Sequence, residues 1–263
     1  MKKIGFLLIC ILCYYSPSIA CSGFYITNGK KILAGNNEDY INPKTKMWII
    51  PSEQGNYGRV FFGFDDYNPQ GGINEKGLFF DGFATNPKKV VKSAEKPKYE
   101  KGNLQNEILS TCATVDDVIK FFNKYNLEFL EYAMLFFGDS NGNSIIVEGD
   151  TIIRKKDNFQ IITNFRQSET TNITCERYNK MNEMLSKDHE ISIDYSKKIL
   201  DAVHVEGING NSTTLYSQVY DIKNLIIYVY NFHDFNNCFK INLKEELKKG
   251  LKYYDLPSLF LKL

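Results

Sequence analysis

Cys21 is the residue of this chain best suited to nucleophilic chemistry, because it directly follows a segment with the three parts of a secretory signal. Two lysines open the chain, residues 4–13 are apolar, and Ser18 and Ala20 are the small residues expected before a cleavage site. Cleavage after Ala20 would give Cys21 a free α-amine beside its thiol. An amine with a pKa of ~7.7–8.0 can accept the proton of a thiol with a pKa of ~8.5. One residue would then supply both nucleophile and base.

Two other interpretations of Cys21 stay open. The residue could simply follow the cleavage site, or it could be the lipid-modified cysteine of an exported lipoprotein. Ala20 suits a lipoprotein signal, whereas Ser18 stands where leucine is usual. The enzyme and the anchor exclude each other, because an acylated amine cannot act as a base. The sequence therefore predicts export to the periplasm or the extracellular space, with lipid anchoring as the alternative.

Composition excludes several classes of partner. Removal of residues 1–20 takes away two lysines and no acidic residue, so the net charge changes from +1 to −1. This balance gives no electrostatic reason to bind nucleic acid or an anionic membrane. No later segment is apolar over the length of a transmembrane helix. The remaining 243 residues contain no Pro/Ser-rich linker and no repeat, which predicts a single domain over 21–263.

The cysteines and histidines do not indicate a metal site or a disulfide scaffold. Four widely spaced cysteines remain after cleavage, and we expect mostly buried thiols: Cys21, Cys112, Cys175 and Cys238. There is no Cys-x-x-Cys motif, and the three histidines are scattered along the chain: His189, His204 and His233. We therefore predict no metal.

The residues after Cys21 predict a hairpin that folds the chain back toward it. Asn28-Gly29 separates two apolar segments and favours a type I′ turn, in which both central residues need positive φ. The second strand would bring Asn36 and Asp39 close to Cys21.

The rest of the chain predicts alternating groups of strands and helices. Further strands are expected at 47–50, 59–64 and 78–83, then at 131–137, 143–148, 151–155 and 159–164, and finally at 213–219, 224–231 and 237–242. Helices are expected at 103–112, 115–125, 174–186, 193–204 and 243–249, with a capping box formed by Thr114 and Asp117. Adjacent hairpins with paired helices between them predict an α+β layered sandwich with mainly antiparallel sheets.

Four stretches in this order resemble the choloylglycine hydrolase family of N-terminal nucleophile amidases, which includes bile salt hydrolases and penicillin V acylases. They are Cys21-Ser22; Gly35-Asn36-Asn37-Glu38-Asp39-Tyr40; Gly72-Ile73-Asn74-Glu75-Lys76-Gly77-Leu78; and Thr163-Asn164 followed by Arg177-Tyr178. Thr214-Leu215-Tyr216-Ser217 is also similar. Each motif is weak alone, and the ordered set behind a cleavage site is fairly specific. The resemblance implies a four-layer αββα sandwich.

The resemblance also implies catalytic roles for four residues. Cys21 matches the nucleophile, and Asp39 matches an aspartate that orients its α-amine. Asn164 matches a donor to the tetrahedral oxyanion. Arg177 matches an arginine whose charge favours the thiolate. Without the resemblance, Asp39 and Asn164 would be interpreted as turn residues and Arg177 as an ordinary helix arginine.

Two positions depart from the family pattern. Bile salt hydrolases and penicillin V acylases usually carry arginine where Asn36 stands, and a second oxyanion asparagine where Ala84 stands. A backbone N–H, or Asn86 from an offset, would have to replace that donor. Asn36 and Ala84 are therefore candidate substrate-binding residues, and they argue against transferring bile-salt or penicillin specificity. The turn Asn74–Gly77 is expected to be structural.

The expected reaction is hydrolysis of a linear, non-peptide amide in a small N-acyl compound, through an acyl-enzyme thioester. An amine in place of water would make the same intermediate an acyltransferase, and a non-catalytic lipoprotein or binding module remains the other alternative. The chain supplies nucleophile, base and oxyanion donor, so no cofactor is expected. The oligomeric state stays open, a homo-oligomer included.

Overall fold

The computed structural model describes residues 21–187, 190–207 and 212–261. The predicted signal peptide at 1–20 and His189 lie outside the described residues. No helix in the described ranges is long and apolar enough to cross a membrane.

In chain order, the described residues form fourteen strands: β1 (Ser22–Thr27), β2 (Ile32–Tyr40), β3 (Lys46–Ile50), β4 (Arg59–Gly63), β5 (Pro69–Asn74), β6 (Phe79–Ala84), β7 (Ala133–Gly138), β8 (Ser144–Glu148), β9 (Thr151–Arg154), β10 (Phe159–Ile162), β11 (Thr213–Asp221), β12 (Ile226–Asn231), β13 (Cys238–Asn242) and β14 (Lys252–Asp255). The same ranges form five α-helices: α1 (Leu104–Thr111), α2 (Val115–Phe122), α3 (Glu176–Leu185), α4 (Ile193–Asp201) and α5 (Leu243–Leu247). Short 3₁₀ helices cover Glu128–Glu131 and Leu256–Leu259.

The strands pair into two antiparallel sheets. One has six described strands in the order β10-β1-β2-β11-β12-β13, and the other has eight in the order β14-β3-β4-β5-β6-β7-β8-β9. Strand β14 was not predicted from the sequence; it is a short, mostly exposed strand at the edge of the larger sheet, paired with β3. The first two strands of the chain lie inside the six-stranded sheet, with β10 and β11 on either side of them.

Three apolar clusters separate four layers. The central cluster joins the inner faces of the two sheets, where Phe62 of β4 and Tyr216 of β11 have ring centroids 6.3 Å apart. A second cluster packs α1 and α2 against the eight-stranded sheet, and a third packs α3 and α4 against the six-stranded sheet. The order is helices, sheet, sheet, helices. The predicted αββα sandwich is confirmed.

The first hairpin is confirmed, but its turn is not type I′. The loop has four residues, Asn28 to Lys31, since Thr27 pairs with Ile32. Gly29 has a φ of 79°, and Asn28 is not in the positive-φ region. Instead, the Asn28 Oδ1 accepts from the backbone N–H groups of Lys30 and Lys31 at 3.1 and 2.8 Å, which is the local side-chain turn that asparagine favours.

The turn at Asn74–Gly77 ties the eight-stranded sheet to α1. Asn74 Nδ2 donates to the carbonyl oxygens of Leu109 and Cys112, both at 2.8 Å. Its Oδ1 accepts from the N–H groups of Lys76 and Leu78. Gly77 has a φ of 80° at the end of the turn. These contacts hold the turn and the end of α1 together, which is the structural role expected for this motif.

Candidate active site

Cys21 lies just before β1 and faces the space between the two sheets. Its residue surface is 3% exposed. The β1–β2 register pairs Ser22 with Asn37, which places Cys21 beside Glu38. The Cys21 Sγ is 3.7 Å from Glu38 Oε1 and 4.0 Å from the backbone oxygen of Asp39. The hairpin therefore brings the predicted nucleophile against the two acidic residues of β2.

Asp39 lies on the face of β2 opposite to that of Glu38, where the side chains of Thr214 and Arg177 contact it. Its Oδ1 accepts a hydrogen bond from the hydroxyl of Thr214, which lies directly opposite on β11. Its Oδ2 is 3.6 Å from Arg177 Nη1. Thr214 Oγ1 also accepts from the N–H of Val205 at 2.8 Å, so the segment after α4 supports this contact. The hydroxyl of Thr214 was not assigned a role from the sequence, although its strand carried part of the family resemblance.

Arg177 comes from the first turn of α3, which packs on β1 and β10. Its Nη1 donates to the backbone oxygen of Cys21 at 2.9 Å, and its Nη2 donates to Asn164 Oδ1 at 3.3 Å. The guanidinium therefore contacts Cys21, Asp39 and Asn164 together.

Asn164 follows the end of β10, the neighbour of β1. Its Nδ2 donates to the backbone oxygen of Ala84 at 2.9 Å. The two positions that were singled out separately in the sequence, Asn164 and Ala84, are thus hydrogen-bonded across the two sheets. A primary amide carries two hydrogens, so a second donor remains for a ligand.

Burial and negative charge dominate the titration of the site. Burial raises the pKa of the Cys21 thiol, and the charges of Glu38 and Asp39 raise it further. Burial raises the pKa of Asp39 to about 7, although the Thr214 hydrogen bond and the charge of Arg177 lower it. The role of Arg177 as a charge that favours the thiolate stays a prediction; the guanidinium contacts the backbone of Cys21 and the side chains of Asp39 and Asn164.

Glu38 is the site residue that sequence reasoning missed. It was quoted within a family motif and given no role. The residue is 3% exposed, and burial, followed by the charge of Asp39, raises the pKa of its carboxyl to about 8. An acidic residue in an otherwise buried strand was the available signal, because charged groups are rarely buried without partners.

A cavity of about 520 Å³ opens beside Cys21 and Glu38. Its walls come from the β2–β3 and β4–β5 segments, from β6 and β7, and from one side chain of α1. The lining residues are Cys21, Glu38, Tyr40, Asn42, Phe64, Asp65, Asp66, Asn68, Pro69, Gln70, Gly82, Phe83, Ala84, Gln105, Tyr132, Ala133 and Leu135. The mixture of aromatic, amide and acidic side chains suits a small polar organic molecule with an apolar part. Ala84 lies in this wall, and its substrate-binding role stays a prediction.

Asn36 lies deeper on β2, opposite Gln218, and is not among the described residues that line the cavity. Neither its Oδ1 nor its Nδ2 has a hydrogen-bond partner within the described part of the chain. Three nearby buried atoms also have no hydrogen-bond partner among the described residues: Glu38 Oε2, Asp81 Oδ2 and Gln218 Nε2. The substrate-binding role of Asn36 stays a prediction, and its surroundings form a buried polar region behind the nucleophile.

One group of described side chains has the composition of a metal site. His204, Glu206 and His233 present ligand atoms that lie within 4.8 Å of one another. The two histidines are therefore not scattered in space, as their positions in the sequence had indicated. Their rings are stacked at 11° with centroids 5.1 Å apart, and His204 Nδ1 contacts the backbone oxygen of Asp201. Because imidazole binds a metal in its ring plane, stacked rings must rotate to share one ion.

The four described cysteines differ in burial, where the sequence predicted mostly buried thiols. All four described cysteines are unpaired with one another; Cys21 and Cys112 are buried, and Cys175 and Cys238 are partly buried.

No protein-family model matches the chain. Solved structures with a similar fold include penicillin V acylase from Agrobacterium tumefaciens, with a TM-score of 0.68 and 18% identity over 90% of this chain and 91% of that one. A variant of conjugated bile acid hydrolase from Clostridium perfringens has a TM-score of 0.69 and 17% identity, covering 89% and 96%. The Caenorhabditis elegans ortholog of N-acylethanolamine-hydrolyzing acid amidase has a TM-score of 0.54 and 13% identity, covering 77% and 93%. These likenesses confirm the fold implied by the sequence: the chain has the fold of penicillin V acylase and conjugated bile acid hydrolase.

Proposed function

We propose that the mature chain, beginning at Cys21, is an exported cysteine hydrolase that cleaves the linear, non-peptide amide of an N-acyl compound. The observation that carries this proposal is the convergence of Cys21, Asp39, Asn164 and Arg177. These residues come from the first hairpin, the end of β10 and the first turn of α3. Arg177 contacts the other three, and Cys21 lies in the wall of a cavity. The proposal treats residues 21–263 as one catalytic domain.

In the proposed reaction, the α-amine of Cys21 accepts the thiol proton and the thiolate attacks the amide carbonyl carbon. The second amide hydrogen of Asn164 stabilises the oxyanion. The carbon–nitrogen bond then breaks, and the protonated α-amine passes its proton to the leaving amine. Water, deprotonated by the same amine, hydrolyses the thioester and restores the thiol.

Asp39 and Arg177 position the reacting residue. Arg177 holds the backbone carbonyl of Cys21, and Asp39 lies within ion-pair distance of that guanidinium. A residue at the start of a chain is held by few other contacts, and an α-amine must be fixed to act on its own side chain. Cleavage after Ala20 is then the activation step, because the base is otherwise part of a peptide bond.

A lipid-anchored, non-catalytic role for Cys21 fits the site less well. A thioether to a lipid needs the sulfur at the surface, whereas Cys21 is buried beside Glu38. Acyl transfer uses the same thioester and differs only in the acceptor, so it is tested as an outcome below.

The substrate class proposed is an N-acyl amide, without a named acyl group. The three similar structures are named for penicillin V, conjugated bile acids and N-acylethanolamines, and amide hydrolysis is what those names share. Asn36 and Ala84 depart from the expected pattern of the first two, so their specificities are not carried over.

The deciding experiment combines intact mass with a substrate panel. The purified exported protein should have a mass that begins at unmodified Cys21, and it should hydrolyse at least one member of a panel containing penicillin V, conjugated bile acids, N-acylethanolamines and simple N-acyl amines. Cys21→Ala should abolish turnover, whereas the control Cys238→Ala should keep it. Unchanged turnover in Cys21→Ala would defeat the proposal. Faster product formation with an added amine would identify a transferase instead.

A further inference from the structure

Two buried glutamates of this chain differ in the number of hydrogen-bond donors around their carboxyl groups. Glu148 is fully buried and accepts three hydrogen bonds, from the N–H groups of Gln167 and Ser168 at 2.8 and 3.0 Å and from the Ser168 hydroxyl at 2.7 Å. Glu38 is as deeply buried, yet its Oε1 has the Cys21 sulfur at 3.7 Å, and its Oε2 has no hydrogen-bond partner among the described residues. Three donors surround the first carboxyl, whereas the second accepts only from the Cys21 thiol among the described residues.

Among the described residues, the titratable groups whose charge acts on Glu38 are acidic. Cys21 lies before β1, Asp39 follows on β2, and Asp81 faces it from β6 of the other sheet. From β11, the phenols of Tyr216 and Tyr220 face the same space. Arg177 contacts Asp39 on the other face of β2, and the charge of His204 also acts on Asp39. In the mature chain, the α-amine of Cys21 is a further titratable group beside this space.

A carboxylate in such a place would be buried, almost without donors, and close to other acids. Burial of an unpaired ion is strongly unfavourable, whereas a neutral carboxylic acid avoids that cost by keeping its proton. The neutral form also gains a function, because its O–H becomes a hydrogen-bond donor directed at a neighbouring atom.

We propose that Glu38 works as a neutral carboxylic acid that donates a hydrogen bond to the Cys21 sulfur as the thiol is converted to the thiolate. The thiol proton still goes to the α-amine, and Glu38 keeps its own proton throughout. This hydrogen bond offsets part of the desolvation cost that burial imposes on the thiolate. This inference rests on the proposed function only in taking Cys21 as the nucleophile.

The proposal has a direct consequence for pH dependence. The pKa of Glu38, raised to about 8, keeps the carboxyl protonated at neutral pH. Above that pH, Glu38 loses its O–H and becomes an anion beside the sulfur, which raises the pKa of the thiol further. Reactivity that needs the thiolate should therefore be held back on the alkaline side.

Three variants separate this role from packing. Glu38→Gln keeps the shape and a donor but cannot ionise, Glu38→Ala loses the donor, and Glu148→Gln is the control for a change at another buried glutamate. The measurement is the rate of Cys21 alkylation by iodoacetamide against pH, followed by the mass of the Cys21 peptide, which requires no substrate.

We expect the alkylation midpoint of Glu38→Gln to lie about one pH unit or more below that of the native protein. This corresponds to about threefold faster alkylation between about pH 8, above which native Glu38 is ionised, and the midpoint, after allowing for the lower nucleophilicity of a less basic thiolate. At lower pH, where native Glu38 keeps its proton, the two rates should be similar. Glu38→Ala should have a higher midpoint than Glu38→Gln, and Glu148→Gln should leave the midpoint of the native protein unchanged. Equal midpoints in the native protein and both Glu38 variants would overturn the proposal.

A second measurement does not depend on the behaviour of the thiol. The infrared difference spectrum between the native protein and Glu38→Gln at neutral pH should contain the carbonyl stretch of a protonated carboxyl, which disappears above about pH 8 to 9. A carboxylate band in its place would overturn the proposal. If no amide is hydrolysed but the alkylation and infrared results hold, the proposed function fails and the neutral Glu38 stands.

Discussion

The Arg177 guanidinium donates from Nη1 to the backbone oxygen of Cys21 at 2.9 Å. The same nitrogen is 3.6 Å from Asp39 Oδ2, and Nη2 donates to Asn164 Oδ1 at 3.3 Å. A planar guanidinium presents its donors in fixed directions, which the compact charge of a lysine cannot imitate. Arg177 therefore sets the positions of three groups relative to one another.

Arg177→Lys should lower kcat/KM by on the order of 10²-fold, because a small misplacement of reacting groups carries a cost of that size. The positive charge is kept, so the loss would report geometry rather than charge. Arg154→Lys is the matched control: Arg154 pairs with Asp116 at the surface, 2.9 Å away, and its variant should retain native rates. Native kcat/KM in Arg177→Lys would show that the three contacts do not position the site.

Thr214→Val should shift the acid limb of the kcat/KM–pH profile to higher pH. The Thr214 hydroxyl donates to Asp39 and lowers its pKa, which burial has raised to about 7. Without this hydrogen bond, Asp39 stays protonated to a higher pH, and a protonated Asp39 cannot act as an anion toward the α-amine. The measurement is kcat/KM against pH.

Two other variants control the Thr214 experiment. Thr214→Ser restores a hydroxyl and should restore the native limb. Thr213→Val removes the neighbouring hydroxyl, which donates to the Val205 carbonyl at 3.0 Å, and should leave the limb in place. A limb that moves equally in Thr213→Val and Thr214→Val would indicate a general disturbance of β11.

Local sequence patterns predicted a layered α+β architecture and the positions of most elements, whereas the order of the four layers was implied by the family resemblance. The capping box at Thr114 and Asp117 and the apolar face of α2 are local signals, and the structure contains both. The type I′ turn predicted at Asn28-Gly29 was wrong. Asn28 does not adopt positive φ, and its side chain accepts hydrogen bonds from the backbone N–H groups of Lys30 and Lys31. The short edge strand β14 has no apolar pattern from which it could be predicted.

The site was only partly predictable because its contacts join residues far apart in the chain. Cys21 and Asp39 belong to one hairpin, so their proximity follows from a local turn. The contact of Thr214 with Asp39 depends on which strand lies beside β2, and the stacking of His204 on His233 depends on two loops meeting. Glu38 lay in a quoted motif, but its missing partners are visible only when both sheets are in place.

Asn164→Ala should lower kcat by on the order of 10²–10³-fold with a small change in KM, since an oxyanion donor acts mainly in the transition state. Asn179→Ala is the control, because the side chain of that exposed asparagine donates to the Ile173 carbonyl at 3.2 Å, away from the predicted oxyanion site. Alkylation of Cys21 should stay at the native rate in both variants. A rise in KM with native kcat would assign Asn164 to substrate binding instead.

Asn74→Ala should destabilise the fold without a direct effect on chemistry. The Asn74 side chain forms four hydrogen bonds in a buried turn and holds two carbonyl groups at the end of α1. Removing it leaves these groups without partners, which should cost about 3 kcal/mol or more. Urea denaturation provides the measurement, with the exposed Asn224→Ala as a control expected within about 0.5 kcal/mol of the native protein. Equal stability of the two variants would contradict the structural role.

The pH dependence of stability should carry the signature of Glu38. Its pKa of about 8 in the folded chain exceeds the unfolded value of ~4.3, so the folded state binds more protons between these limits. The free energy of unfolding should therefore fall as the pH rises through this window, by up to ~1.4 kcal/mol per pH unit, and level off above it. Glu38→Gln removes this contribution and should be more stable than the native protein at about pH 8.5, with little difference at about pH 4 to 5. Glu148→Gln loses hydrogen bonds instead and should be less stable at both. Urea denaturation at the two pH values distinguishes these outcomes, and a Glu38→Gln protein that is less stable at the higher pH would show that Glu38 is held there as a stabilised carboxylate.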